Sequence, residues 1–456
     1  MSPTRSKTTR VDCTRGPLLG NILRFALPLA LASVLQLLFT AVDQVVVGRF
    51  AGPAALAAVG SNQALINLLV NFFVGFSVGT NVTCSRFFGA KDFEGVRRTV
   101  HTAMVLSVLF GFALTLIGVA AARPMLVWMG SPDDVLDLAA LYLRIYFGGI
   151  SATMVYNFGA ALLRASGDTR RPLYCLTLSG VINLFLNLVF VIVFHMGVAG
   201  VGLATVISQF VAAALVVRIL AREDGPLRLE AALLRLWPGP LRSILHVGLP
   251  TGLQSVVFSF ANVTVQATTN SFGSAVVAGS AAAASLEGFV LTSMDAFGQT
   301  CVTFNSQNLG AGNIRRVYRS TLLCHACAVT AGLVLGLSFA ANSEFLLGLY
   351  ARDPEVIAAG TQRMMAICAP YALCGFMNVG AGAMRGLGYS VLPTVVSLCG
   401  SCLFRLVWIA LVFPLNPTVL MLYMTYPVSW VLTGGAHLLC FLAVRKTVEA
   451  RFAVEQ

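Results

Sequence analysis

Long apolar stretches alternate along this chain with short breaks marked by glycine, proline and clustered charge. About 20 apolar residues are needed to cross a bilayer as a helix. By that measure the pattern predicts twelve spans, at 21–47, 54–80, 99–120, 134–163, 172–194, 199–220, 243–270, 275–303, 318–341, 355–384, 391–413 and 417–444. The stretch 221–242, with Gly225, Pro226, Trp237, Pro238, Gly239 and Pro240, separates two sets of six. Its Leu227–Leu236 part reads as a short amphipathic helix lying on the membrane surface. The expected organisation is a tail at 1–20, a first lobe at 21–220, the linker at 221–242, a second lobe at 243–445 and a tail at 446–456.

The two sets of spans carry the same polar and small residues about 221 positions apart. Ser85, Gly89, Ala90, Val96 and Arg98 recur as Ser306, Gly310, Ala311, Val317 and Arg319. Asn157, Gly159, Ala160, Arg164, Gly167 and Pro172 recur as Asn378, Gly380, Ala381, Arg385, Gly388 and Pro393, while Leu27-Pro28 returns as Leu249-Pro250. Six spans is an even number, so both halves enter from the same side and form a parallel repeat. Such a duplicated bundle points to solute transport by alternating access. The fold class expected is an all-α integral membrane protein of twelve helices, in two six-helix lobes around a central cleft.

Composition supports this. Hydrophobic residues make up 57% of the 456 and charged residues 11%, with mean hydropathy +0.83. Soluble domains carry about 25% charged residues. The net charge of +12 is a matter of topology. Arginines and lysines gather before span 1, after spans 2, 4, 8 and 10, and around the linker, whereas the other side keeps only Arg49, Arg123 and Arg352. Positive residues stay in the cytoplasm, so both termini are expected there and nucleic-acid binding is not. The basic N-terminal stretch leads into an apolar run too long for a signal peptide, so the first span is expected to remain as an anchor.

Charge within the spans is costly, about 3 kcal/mol at mid-bilayer on insertion scales, and marks candidate functional residues. The acids are Asp43, Glu287 and Asp295, and the bases Arg144, Arg363 and Arg405. Asp43 lies about 33 Å along an outward-running span at 1.5 Å per residue. Asn187 falls at similar height, Asn183 one turn below it on the same face, and Thr205 near the start of span 6. One carboxylate, two amides and a hydroxyl at one level suit a hard monovalent cation or a proton. Pro28 lies on the same helix as Asp43 and is a candidate kink. Pro250, Pro370 and Pro427 also interrupt apolar spans, where proline removes a backbone hydrogen bond. No metal-ligand cluster, no H-E-x-x-H pattern and no converging catalytic set is present, and His101, His195, His246, His325 and His437 stand alone. An enzyme, a cofactor and a metal are not expected.

The runs ALPLALASVLQLLFTAVDQVVVGRFAG from Ala26, SRFFGAKDFEGVRR from Ser85, ALLRASGDTRRP from Ala161, VGLATVISQ from Val201 and NSQNLGAG from Asn305 resemble the multidrug and toxic compound extrusion (MATE) transporters over nearly the whole chain. The texture is that of the DinF-like and YoeA-like bacterial branches. The resemblance implies export of organic compounds, commonly cations, driven by a proton or sodium gradient. It also places a first-lobe cation site on Asp43, Asn157, Asn183 and Thr205, with Pro28 as kink. Asn157 counts out at a different height and would need a bent span 4. Asn187 stands where that branch has a second aspartate, so the site holds one negative charge. The NorM-like acids are absent: the matching stretches run Gln254 to Gln266 and Tyr371 to Asn378. Second-lobe candidates are therefore Glu287, Gln254, Gln266, Asn378 and Arg405.

The expected function is cation-coupled export of amphipathic or cationic organic compounds from a bacterial cytoplasmic membrane. Coupling is to H+ or Na+, in a monomer whose partners are lipids and a small organic substrate. Phe39, Phe72, Phe73, Tyr146, Phe147, Tyr156 and Phe258 are candidates to line the cleft. The alternative is a flippase for lipid-linked precursors, which would need Arg144, Arg363 and Arg405 converging on open water.

Overall fold

The computed structural model describes residues 10–129 and 133–454, and these are helices joined by turns, without a strand. Ten helices among them are long and apolar enough to cross a membrane, and two bent pairs complete twelve. The fold is the all-α membrane architecture expected.

In chain order the first half holds α1 (Leu18–Val46), α2 (Pro53–Gly89), α3 (Phe93–Trp128), α4 (Asp133–Gly148), α5 (Ile150–Ala165), α6 (Arg170–Leu188) and α7 (Gly197–Ala221). The second half begins with α8 (Pro238–Asn270), α9 (Ser274–Gly310), α10 (Ile314–Ala341), α11 (Ser343–Gly348), α12 (Pro354–Ile367) and α13 (Tyr371–Gly386). It ends with α14 (Val391–Ser397), α15 (Phe404–Val407), α16 (Val419–Tyr423) and α17 (Thr425–Val454). α14 and α15 belong to one span, Val391–Leu415, interrupted by π turns at Leu398–Leu403 and Trp408–Val412.

Spans 4 and 10 are the bent ones. α4 and α5 meet at 46° beside Gly148 and Gly149, and α12 and α13 at 49° beside Pro370. Proline cannot donate the backbone hydrogen bond that would carry the helix through. The other three prolines do not end their helices. Pro28 and Pro250 lie within α1 and α8, which continue through them, and Pro427 sits in the first turn of α17. There a missing N–H has no intrahelical acceptor to lose.

Two compact units emerge. Unit 1 comprises residues 10–12 with Leu31–Gly252, and unit 2 comprises Cys13–Ala30 with Leu253–Gln456. The division therefore falls inside α1 and α8, just after Pro28 and Pro250, rather than at the linker. Residues 1–9 of the N-terminal tail and 455–456 of the C-terminal tail lie outside the described residues.

Within unit 1, one core gathers Leu114, Leu143, Phe147 and Met154, and another gathers Phe76, Phe158, Leu162 and Val216. Val11 donates its N–H to the Gly167 carbonyl at 2.9 Å, in a place where a side chain on Gly167 (φ 91°) would overlap Val11. Unit 2 has a core of Leu286, Val290, Met294, Met364, Tyr371 and Trp430. The Cys13 carbonyl accepts there from Asn308 at 3.0 Å and from Arg316 Nε at 3.1 Å. Backbone conformation repeats as well: Gly52 and Gly273, which cap α2 and α9, have φ of 91° and 96°.

The linker does not form the amphipathic helix expected at Leu227–Leu236, only a 3-10 turn at Ala231–Leu233. Its backbone bonds to α3 instead. The Glu230 N–H donates to His101 Nε2 at 3.0 Å and the Trp237 N–H to Thr102 Oγ1 at 3.1 Å.

Close helix contacts rest on missing side chains. A methyl on Gly279 of α9 would overlap the Val356 carbonyl oxygen and the Gly360 nitrogen of α12, whereas one on Gly20 meets nothing within 4 Å. Overpacking a rigid contact costs about 1–3 kcal/mol. Gly279→Ala should therefore lower the melting temperature of the purified protein, and Gly20→Ala should leave it in place.

Candidate functional site

Two helix faces in unit 1 build the polar centre expected from the sequence. Phe39 and Asp43 are one turn apart on α1; Gly180, Asn183 and Asn187 share a face of α6. A side chain on Gly180 would overlap the Phe39 ring, so this glycine lets α1 lie close against α6. Asn187 Nδ2 then donates to Asp43 Oδ1 and to Asn183 Oδ1, the latter at 3.3 Å. Asn183 Nδ2 donates to Thr205 Oγ1 of α7 at 3.5 Å. Asn187 is fully buried, Asn183 buried, and Asp43 half-buried. Both helices pass into π turns just beyond these residues, at Val47–Ala51 and Val189–Val193.

Asp43, Asn183 and Thr205 border a cavity of about 330 Å³. Asn157 borders it too, because the bend between α4 and α5 brings α5 to that level. Its amide donates to the Thr153 carbonyl at 2.8 Å. Asp43 is the one carboxylate among the described lining residues, and no arginine or lysine joins it. Of the aromatic candidates, Phe39 and Tyr146 reach the cavity. Phe147 is fully buried, and Phe72 and Phe73 pack with Phe76.

One part of the lining was overlooked in the sequence. Gln63, Asn67 and Asn71 of α2 face the cavity, and Gln63 Nε2 donates to Asn67 Oδ1 at 3.1 Å. Their four-residue spacing inside an apolar span was a legible signal. A search for charged residues passes over neutral amides. Gln36 and Gln44 of α1 and Gln209 of α7 complete the polar rim.

The second-lobe candidates do not make a matching site. Glu287 is consumed by Arg363, whose Nε and Nη2 donate to its two oxygens at 2.8 and 2.9 Å, while Nη1 donates to Ser280. It is therefore no free acid. The positions 221 before this pair are Ile66 and Tyr142, which line the unit 1 cavity. The Gln254 carbonyl accepts from Arg385 and Thr394. Gln266 bonds Asn270 at 3.1 Å, and the half-buried Asn378 reaches only Cys374 Sγ at 4.0 Å. Arg405 is buried in unit 2, Asp295 is exposed and accepts from Gln299, and Arg144 is exposed on α4 of unit 1.

A duplicated set of six membrane spans, with a polar cavity in the first, defines a multi-pass transporter. The MatE family profile matches residues 28–189 and again 250–411, so the chain belongs to the MATE family of multidrug efflux transporters. It is similar to two probable multidrug resistance proteins of Bacillus subtilis. YpnP is 27% identical, covering 88% of this chain and 89% of the relative, and YoeA is 27% identical, covering 82% of each. A MOP superfamily transporter from Pyrococcus furiosus, described as having a binding pocket of reversed polarity, superposes with a TM-score of 0.91. That match covers 97% of this chain and 99% of the other at 20% identity, and it shows the fold.

Breaking a buried ion pair from one side leaves an uncompensated charge, at a cost of about 3–5 kcal/mol. Glu287→Gln should therefore destabilise the protein in thermal or denaturant unfolding. Adding Arg363→Met in the same chain should recover part of the loss.

Proposed function

We propose that this chain exports amphipathic and cationic organic compounds from the bacterial cytoplasm in exchange for H+ or Na+. One observation carries the reading: Asp43 borders a polar cavity, with neutral amide and hydroxyl groups as its neighbours. An unpaired carboxylate within the bilayer is stabilised by whatever small cation reaches it. A proton binds Asp43 directly. A sodium ion takes oxygen ligands, which the Asp43 carboxylate, the Asn183 and Asn187 carbonyls and the Thr205 hydroxyl can offer. An organic cation in the same cavity competes for the same single charge. Mutual exclusion at Asp43 is then the source of exchange: release of one cation on one side permits binding of the other. Alternating exposure of the cavity completes the cycle.

The remaining assignments follow from this reading. Both termini face the cytoplasm, as the arginine bias of the loops requires. The working unit is a monomer in lipid, without a cofactor, and its chemistry is displacement rather than catalysis. A lipid-linked, phosphate-bearing cargo is less well served, because Arg363 is already paired with Glu287.

Proteoliposomes with proton and sodium gradients imposed separately test this reading. The driving ion should move a cationic dye in the wild type. Asp43→Asn should reduce that movement at least about tenfold, the loss expected for one charge-assisted contact. Dye movement unchanged in Asp43→Asn would remove the residue from the mechanism.

A further inference from the structure

Arg405 in unit 2 is a buried charge whose hydrogen-bond partners are all neutral. It lies on α15, between the two π turns, and is only 3% exposed. Its Nε donates to Ser429 Oγ at 3.4 Å and its Nη1 to Asn262 Oδ1 at 3.2 Å, and no hydrogen bond engages Nη2. The guanidinium carbon stands 4.3 Å from the centre of the Tyr426 ring. Every one of these partners is neutral. Both oxygens of Glu287 are held by Arg363, and Asp295 is bonded by Gln299. Neither carboxylate forms an ion pair with Arg405. The Tyr426 ring face offsets only part of the cost of burying that charge.

Asn262 shows where the guanidinium leads. Ser255, Ser259, Asn262, Gln266 and Asn270 follow one another along α8 at spacings of three and four, which puts them on one face. Asn262, Gln266 and Asn270 are exposed. Lipid cannot solvate a row of amides, so this face borders water, and Arg405 bonds to it through Asn262.

The repeat sharpens the contrast. The residue 221 before Arg405 is Leu184, next to Asn183 of the first-lobe cation site. The offset of 222 that relates Pro28 to Pro250 takes Asp43 to Val265, which is buried and apolar. Unit 1 thus holds an acid among amides, and unit 2 a base without an ion pair.

We infer that Arg405, with Asn262 and Tyr426, forms an anion subsite that takes the carboxylate of an amphipathic substrate. The free N–H groups of Nη1 and Nη2 lie side by side, the arrangement that binds a carboxylate end-on through two hydrogen bonds. Tyr426 holds the guanidinium plane, and Asn262 orients it toward the polar face of α8. The exporter's cargo would then include zwitterions and organic acids as well as cations. The inference rests on the exporter reading in one respect, that the occupant is cargo.

The test uses the full-length protein in phosphatidylcholine nanodiscs, with two xanthene dyes that differ only in a free carboxylate against its methyl ester. Wild type should bind the carboxylate dye about tenfold more tightly. Arg405→Gln should abolish the preference without weakening the ester, whose binding also reports that the variant is folded, and Arg405→Lys should keep most of the preference. Equal affinities in the wild type, no binding of either dye, or equal weakening of both by Arg405→Gln would overturn the subsite. If phosphatidylglycerol in the nanodisc removes the preference, the occupant is a lipid phosphate and the substrate assignment fails. Asp43→Asn separates the two readings, since it should impair gradient-driven export of the ester and leave the dye preference intact.

Discussion

The hydrogen bond that Asn187 donates to Asp43 ties α1 to α6 at the polar centre of unit 1. A bilayer supplies no water to satisfy a stray polar atom, so each such group must meet protein or face a wet cavity. Asp43 does both. One oxygen is held by Asn187, and the side chain borders the cavity that Gln63, Asn67 and Asn71 face from α2. Gly180 makes this contact attainable, because without a side chain it admits the Phe39 ring against α6. The same rule governs unit 2 with another outcome: there the acid Glu287 is met fully by Arg363. One repeat keeps its carboxylate available to ligands and the other locks its own into the scaffold.

Duplication gave the halves one backbone and left their interiors free to diverge. The capping glycines Gly52 and Gly273, and likewise Gly167 and Gly388, share left-handed φ values that other residues adopt at a cost. Interior positions follow no such constraint. Ile66 and Tyr142 line a cavity, whereas their counterparts Glu287 and Arg363 form a bidentate ion pair.

Much of this was legible in the chain because span length and charge placement follow simple rules. All twelve spans could be read, and Asp43, Asn183, Asn187 and Thr205 were grouped by helix rise alone. Asn157 needed the bend at Gly148 and Gly149, which two adjacent glycines permit without requiring. The amides of α2 went unread because neutral side chains leave hydropathy almost unchanged. The pairing of Glu287 with Arg363 could not be seen either, since two residues 76 positions apart reveal a contact only once α9 packs on α12. Proline left the choice between break and continuation open. Its chemistry forbids one hydrogen bond but does not decide whether the helix stops, as at Pro370, or continues, as through Pro28.

The length of α2 and α9 has a further consequence. Each has 37 residues, about 55 Å of helix at 1.5 Å per residue. Even at a tilt of about 40°, roughly 42 Å would lie along the bilayer normal, against a hydrocarbon thickness of about 30 Å. The surplus reaches beyond the hydrocarbon layer while still packed against neighbouring helices, with Thr80, Ser85, Asn305, Ser306 and Asn308 fully buried. The tight turns at Lys91–Asp92 and Gly312–Asn313 end these helices, held by backbone bonds such as Asp92 N–H to the Phe87 carbonyl at 3.0 Å. Both turns therefore lie outside the hydrocarbon layer, at or beyond the depth of the headgroups.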